Sequence, residues 1–231
     1  MLEERLERYE VWGAWMLFAV HVFVLPLTVA ELSAAGTLKL SGAEYNFLSY
    51  CVSALLCFAV LGKYLRRSFD SLIEAIKRPR ITLLSLGGGG IVYAIATLAV
   101  TPFLGLIGME AAPNDENLLS LIAEDRGMMI ALSLFISPLV EETVFRGGVF
   151  CSLYHKSRFS AYAVSVGLFA LYHVWQYAAV LGDPSLLLIG IAYVPAGLAL
   201  ALIYDISGTV WYSMLMHFIL NLSGLMALGI I

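Results

Sequence analysis

Charged residues are scarce in this sequence of 231 amino acids. They make up 13% of the chain, whereas hydrophobic residues make up 61% and the mean hydropathy is +0.88. A soluble domain contains about 25% charged residues. A globule of this size has too little interior for so much apolar surface, so we expect lipid to act as the solvent for much of the chain. The composition therefore excludes an ordinary soluble enzyme.

Signals of several other protein classes are also missing. The basic residues form no stripe that could follow a phosphate backbone, which argues against nucleic acid as a partner. Cys51, Cys57 and Cys151 lack the C-x-x-C spacing of a zinc or redox site and are expected to act as small apolar residues. The first ten residues mix Glu with Arg instead of forming the basic start of a cleaved signal peptide, so we expect the first apolar run to remain as a span.

Several apolar stretches are long enough to cross a bilayer, which takes about 20 residues. They predict an all-α fold, a polytopic bundle of about seven transmembrane helices in one integral membrane domain, residues 1–231. A basic amphipathic stretch, residues 63–80, predicts one helix on the cytoplasmic surface, although a short soluble linker helix would also fit. The predicted spans are residues 11–30, 45–62, 81–108, 127–154, 161–181, 186–204 and 208–230.

The positive residues are unevenly divided between the two sides of such a bundle. With the N-terminus in the cytoplasm, the cytoplasmic segments hold ten Lys and Arg residues and the outer segments hold two, Lys39 and Arg126. The positive-inside rule therefore predicts a multi-pass protein of the cell membrane with a cytoplasmic N-terminus. With seven spans, the C-terminus would lie outside.

The fourth predicted span carries ionisable residues within an apolar stretch. An ionised group at the bilayer centre costs about 2.5–3.5 kcal/mol. Glu142 and Arg146 are four residues apart and can pair on one helix face, whereas Glu141 points about 100° away from Glu142. The alternative is that the span ends near Val140 and that the three residues form an ordinary interfacial cluster.

Two later spans add polar residues that we expect at a similar depth. His173 lies in the fifth span, and His217 and Asn221 lie four residues apart in the seventh. Each histidine alone could be a core residue that bonds a backbone carbonyl. If all of them faced one cavity, however, none would be exposed to lipid.

Such a cluster could act on a peptide bond in two ways. A carboxylate beside an imidazole can take a proton from water, while a second imidazole and an amide stabilise the oxyanion. Alternatively, one Glu and two His could hold zinc, with a bound water as nucleophile. The sequence contains neither H-E-x-x-H nor G-x-S-x-G, so it gives no signature for a zinc protease or a serine nucleophile.

The polar residues of these spans fall into three short motifs: Glu141-Glu142-x-x-x-Arg146, Phe169-x-x-x-His173 and His217-x-x-x-Asn221. In order and approximate spacing they resemble the three motifs of the CPBP family. This family includes the type II CAAX prenyl endopeptidases and the bacteriocin-processing or immunity-type (abortive-infection-like) membrane proteases. The resemblance covers about residues 130–225 and implies a helical membrane fold with a catalytic cavity open towards the cytoplasm.

The resemblance also implies catalytic roles for four residues. Glu141 would activate water together with His173, and His217 and Asn221 would stabilise the oxyanion. No cofactor is favoured, because Asn221 is a poor zinc ligand and a good hydrogen-bond donor, but zinc stays possible.

Glu142 and Arg146 would orient and support the site, within a motif-bearing core at residues 127–231. The sequence thus predicts an intramembrane endopeptidase that cleaves a membrane-associated peptide or protein, with lipid as its surroundings. One alternative is a non-catalytic membrane immunity or scaffold protein. Another is a small transporter, although no inverted repeat supports it. No pattern indicates whether the substrate is prenylated or what the oligomeric state is.

Overall fold

The computed structural model describes residues 5–37, 39–109 and 113–231. These residues form helices and no β-strand, which confirms the predicted all-α class. Within this described part of the chain, six helices are long and apolar enough to cross a membrane, and a bent pair of helices adds a seventh span when it is counted as one. The number agrees with the predicted bundle of about seven spans.

Short connections join the helices, which are labelled here in chain order. Their bounds are α1 (Arg8–Ser33), α2 (Gly42–Ile76), α3 (Pro79–Leu106), α4 (Pro113–Glu124), α5 (Arg126–Tyr154), α6 (Arg158–Tyr172), α7 (Trp175–Leu181), α8 (Pro184–Ser207) and α9 (Val210–Ala227). The bent pair consists of α6 and α7, whose axes differ by 45°. The helix α4, in the connection after the third span, was not predicted.

Polar side chains mark the points where five of these helices begin. Each accepts a hydrogen bond from a backbone N–H of the following helix: Ser41 before α2, Asp125 before α5, Ser157 before α6, Asp183 before α8 and Thr209 before α9. These bonds satisfy donors that the first helical turn leaves without a partner. The caps help to explain why the predicted spans begin within a few residues of the observed helices.

The successive spans place their connections at two opposite ends of the bundle. The end where α1, α3, α6 and α9 begin is called the basic end, because ten of the Lys and Arg residues of the sequence lie there. Arg67 of α2 binds the buried carboxylate of Glu10 in α1 at 2.7 Å, which ties this end together. At the opposite end, Glu124 of α4 accepts a hydrogen bond of 2.8 Å from the backbone of Ala43 in α2.

A kink at Leu61 separates most of the predicted surface helix, residues 63–80, from the apolar part of α2. Its residues continue α2 as far as Ile76, beyond a bend at Leu61 where the backbone leaves the helical region (φ −113°, ψ 16°). No proline lies between this bend and Pro79, so the helix continues to Ile76 after the bend. Of its apolar side chains, Leu65 is buried in the core and Phe69 is exposed.

A glycine in α3 allows this helix to approach α8 closely. A Cβ atom at Gly89 would lie 2.3 Å from Cγ1 of the fully buried Ile203. A Cβ atom at the neighbouring Gly88 would meet no atom within 4 Å. Small residues commonly permit such contacts between membrane helices.

We therefore expect the substitution Gly89→Ala to lower the melting temperature in detergent, because Ile203 must shift to make room. Overpacking of this kind typically costs about 1–3 kcal/mol. Gly88→Ala, which adds the same methyl group beside it, is the matched control and should leave the melting temperature unchanged or slightly raised. Equal melting temperatures for the two variants would contradict the proposed close packing.

Candidate active site

Helix α5 carries the two adjacent glutamates of the first motif near the middle of its length. Its segments Leu132–Ile136 and Thr143–Phe150 form wide, π-helical turns on either side of them, a distortion often found at functional sites. The helix continues to Tyr154, and both glutamates are buried. The alternative in which the span ends near Val140 is therefore wrong.

The two carboxylate oxygens of Glu141 have different surroundings. Oε1 accepts hydrogen bonds from the hydroxyl groups of Tyr50 at 2.8 Å and Ser137 at 2.6 Å. Oε2 is buried and forms no hydrogen bond within the described chain. It lies 3.8 Å from Nε2 of His173 and 3.9 Å from Nε2 of His217. One oxygen thus anchors the side chain while the other faces both imidazoles.

Hydrogen bonds at Nδ1 fix the direction in which each imidazole points. Nδ1 of His173 lies 2.8 Å from the carbonyl oxygen of Phe169, and Nδ1 of His217 lies 2.8 Å from Oε1 of Glu142. A carbonyl oxygen and a carboxylate can only accept, so each Nδ1 carries the hydrogen. In their neutral forms both rings then direct a lone pair on Nε2 towards Oε2 of Glu141.

Glu142 and Arg146 form the pair that their spacing predicts. Nη1 of Arg146 donates to Oε1 of Glu142 at 3.1 Å, and both side chains are fully buried. The guanidinium group also donates to the carbonyl of Gly197 at 3.0 Å and lies 4.2 Å from the centre of the Phe169 ring. The same oxygen of Glu142 accepts the hydrogen bond from Nδ1 of His217, so the pair also fixes the orientation of that imidazole.

Asn221 lies one helical turn from His217 on α9 and lines the same cavity. Its Nδ2 donates to the carbonyl oxygen of Ser133 in α5 at 2.8 Å. One N–H of the amide is therefore used to join α9 to α5, and the second remains for another acceptor.

A cavity of about 830 Å³ is lined by Glu141, His173, His217 and Asn221. This volume lies within the usual range of about 300–1,000 Å³ for ligand sites. The cavity extends towards the end opposite the basic end, where the exposed side chains of Val180, Leu181 and Leu228 contribute to its wall. The site is thus reached from the end that carries α4 and α7.

Comparison with known protein families finds one matching family. Residues 125–223 match the family described as type II CAAX prenyl endopeptidase Rce1-like. This match supports membership of the CPBP family of membrane proteases. The match begins with α5 and ends within α9, so it contains all three motifs. No curated protein and no solved structure matches the chain.

Three residues that contact this candidate site, or lie behind it, belong to none of the motifs. Ser137 stands four residues before Glu141, so helical spacing could have identified it. His21 is buried in α1, with its ring centre 5.3 Å from that of Tyr50. An imidazole within a predicted span is itself a functional signal. Tyr50 gave no such signal, because a tyrosine in an apolar span is unremarkable.

The possibility of a bound metal depends on the ligand atoms that the chain offers. Within residues 5–37, 39–109 and 113–231, no group of three or more His, Cys, Asp or Glu side chains is arranged to hold a metal ion. The prediction that no cofactor is favoured stays a prediction.

We expect Arg146→Met to destabilise the protein by about 3–5 kcal/mol, because it leaves the buried carboxylate of Glu142 without its cation. Thermal unfolding in detergent measures this loss. The double variant Glu142→Gln/Arg146→Met should recover part of it, since no buried charge remains unpaired. The matched control Lys77→Met removes the cation of an exposed pair with Glu74 and should change the melting temperature little. An unchanged melting temperature for Arg146→Met would contradict the supporting role of this pair.

Proposed function

We propose that this protein is an intramembrane endopeptidase in which Glu141 and His173 activate a water molecule. The family match supports a protease, and the apolar helices make it a multi-pass membrane protein. The observation that carries the proposal is the convergence of Glu141 Oε2 with Nε2 of His173 and of His217, at 3.8 and 3.9 Å, within a cavity.

Two of these atoms suit the activation of water. Oε2 of Glu141 and Nε2 of His173 can each accept a hydrogen bond, and a water molecule placed between them has two O–H groups to donate. As the water oxygen attacks the substrate carbonyl, Glu141 would take one proton on Oε2, while His173 accepts the second O–H and orients the attacking lone pair. The proton on Glu141 then passes to the nitrogen of the leaving amine as the C–N bond breaks. No covalent enzyme intermediate is required.

His217 and Asn221 would stabilise the oxyanion formed by this attack. His217 donates a hydrogen bond when it carries a proton on Nε2, because its Nδ1–H is already held by Glu142. Asn221 retains one N–H beyond its bond to Ser133 and would be the second donor. Arg146 would support His217 indirectly through Glu142.

The substrate that we propose is a membrane-associated peptide or protein segment. The cavity wall combines the catalytic polar groups with tyrosine and leucine side chains, among them Tyr93, Tyr177 and Leu220. Such a wall suits a peptide with apolar residues near the bond to be cleaved. The family description names CAAX prenyl substrates, so a prenylated peptide belongs among the peptides tested.

We also propose that the N-terminus is cytoplasmic and that the protein resides in the cell membrane. This orientation places the basic end in the cytoplasm, as the positive-inside rule requires. The cavity, however, opens at the opposite end, where Lys39 and Arg126 are the two basic residues of the sequence. The proposed orientation therefore conflicts with the cytoplasmic opening implied by the family resemblance, and it directs the cavity away from the cytoplasm.

Glu141→Gln should abolish cleavage of a peptide library by the purified protein. The amide preserves the shape of the side chain but cannot take the proton, and general-base catalysis typically contributes about 10²–10⁴-fold. The control Glu74→Gln neutralises an exposed carboxylate at the basic end and should cleave normally. Cleavage by Glu141→Gln at the wild-type rate would contradict the role of Glu141 as the base, and absence of cleavage by the wild type as well would favour a non-catalytic protein.

The same library, with and without a chelator and with prenylated and unprenylated peptides, tests the catalytic type and the substrate. We expect cleavage to continue in the presence of the chelator. If the chelator abolishes cleavage and added zinc restores it, the protein is a metalloprotease and the metal-free mechanism is wrong.

Fusions at the C-terminus test the orientation. We expect alkaline phosphatase fused there to be active and green fluorescent protein fused there to be dark, because the C-terminus lies outside when seven spans follow a cytoplasmic N-terminus. Fluorescent protein at the N-terminus should be bright and serves as the control. The opposite pattern at the C-terminus would place the cavity opening on the cytoplasmic side.

A further inference from the structure

The carboxylate of Glu141 is held by a residue that lies outside the family match. Tyr50 belongs to α2, whereas the match begins at residue 125. We propose that Tyr50, oriented in turn by Tyr172, is a positioning residue for catalysis. It fixes Oε1 of Glu141 so that Oε2 faces the two imidazoles. This inference rests on the proposed function of Glu141 as the base.

The hydroxyl groups of the two tyrosines form a chain with a defined direction. The oxygen atoms of Tyr50 and Tyr172 lie 2.8 Å apart, and Tyr50 also lies 2.8 Å from Oε1 of Glu141. The carboxylate can only accept, so the single hydroxyl hydrogen of Tyr50 points to it. The hydrogen between the tyrosines must therefore come from Tyr172. Tyr172 donates to Tyr50, and Tyr50 donates to Glu141.

The contribution of Tyr50 differs from that of Ser137, the other donor to the same oxygen. Ser137 stands on α5 itself, four residues before Glu141, so its bond cannot align α5 with another helix. Tyr50 reaches the carboxylate from α2, and Tyr172 lies at the end of α6. The two tyrosines thus connect the carboxylate with two further helices and restrict its rotation about the terminal bond.

A third side chain limits the movement of both tyrosine rings. His21 of α1 is buried, with its ring centre 5.3 Å from that of Tyr50 and 5.2 Å from that of Tyr172. Its Nδ1 lies 2.9 Å from the hydroxyl oxygen of Ser53 in α2, which holds the imidazole in place. Helices α1, α2 and α6 therefore all contribute to the wall behind Glu141.

The experiment compares Tyr50→Phe, Tyr172→Phe and the double variant, with kcat and KM measured separately on a peptide that the wild type cleaves. Loss of a hydrogen bond to a charged acceptor predicts that kcat of Tyr50→Phe falls by about tenfold to a hundredfold. KM should remain near the wild-type value, because the ring is kept. The effect of Tyr172→Phe should be smaller.

The double variant should be no slower than Tyr50→Phe alone, since Tyr172 acts only through Tyr50. Tyr64→Phe is the matched control. It removes the hydroxyl of another buried tyrosine of α2. This hydroxyl bonds that of Tyr204 in α8 at 2.9 Å and forms no hydrogen bond with Glu141. Its kcat should equal that of the wild type even if its melting temperature falls.

Glu141→Gln in the same assay separates the two levels of the proposal. If Glu141→Gln is inactive while Tyr50→Phe retains wild-type kcat, or if the two tyrosine variants lose activity additively, the positioning role is wrong and the proposed base stands. If Glu141→Gln is fully active, the proposed function itself is wrong. If Tyr64→Phe lowers kcat as much as Tyr50→Phe does, the effect reflects a general loss of stability and the positioning role is wrong.

Discussion

The high cost of placing a carboxylate inside a membrane span governs the arrangement of this protein. An ionised group at the bilayer centre must find partners within the bundle. Glu142 is neutralised by Arg146 and bonded by His217, so it acts as a fixed support. Glu141 has hydroxyl donors on one oxygen and leaves the other facing two imidazoles. Both carboxylates need partners inside the bundle, but their partners differ. Glu142 therefore has a structural role, whereas Glu141 is the candidate base.

The backbone departs from regular helix where the site requires it. Wide turns flank the two glutamates in α5, and α6 ends at Tyr172, so His173 stands where the chain bends into α7. A straight span would continue past this depth without opening a space. The bend contributes to the cavity, because residues of α7 line the cavity as far as the end opposite the basic end.

The sequence was sufficient to predict the helical class, the approximate spans and the pairing of Glu142 with Arg146, since each depends on local spacing or hydropathy. It could not reveal Tyr50, because that contact joins residues 91 positions apart and a tyrosine carries no distinctive signal in an apolar span. It separated residues 63–80 from the second span, and the structure has a kink at Leu61 close to that boundary, although the helix resumes and continues to Ile76. The side on which the cavity opens depends on how the helices assemble, which spacing alone does not encode.

The central claim is that Glu141 activates water instead of attacking the peptide bond itself. A single turnover in water labelled with oxygen-18, with enzyme in excess over peptide, tests it most directly. The account predicts that the new carboxylate of the product carries the heavy oxygen and that the Glu141 side chain carries none. Heavy oxygen in Glu141 after one turnover would show that its carboxylate had formed a covalent bond with the substrate, and would contradict the mechanism.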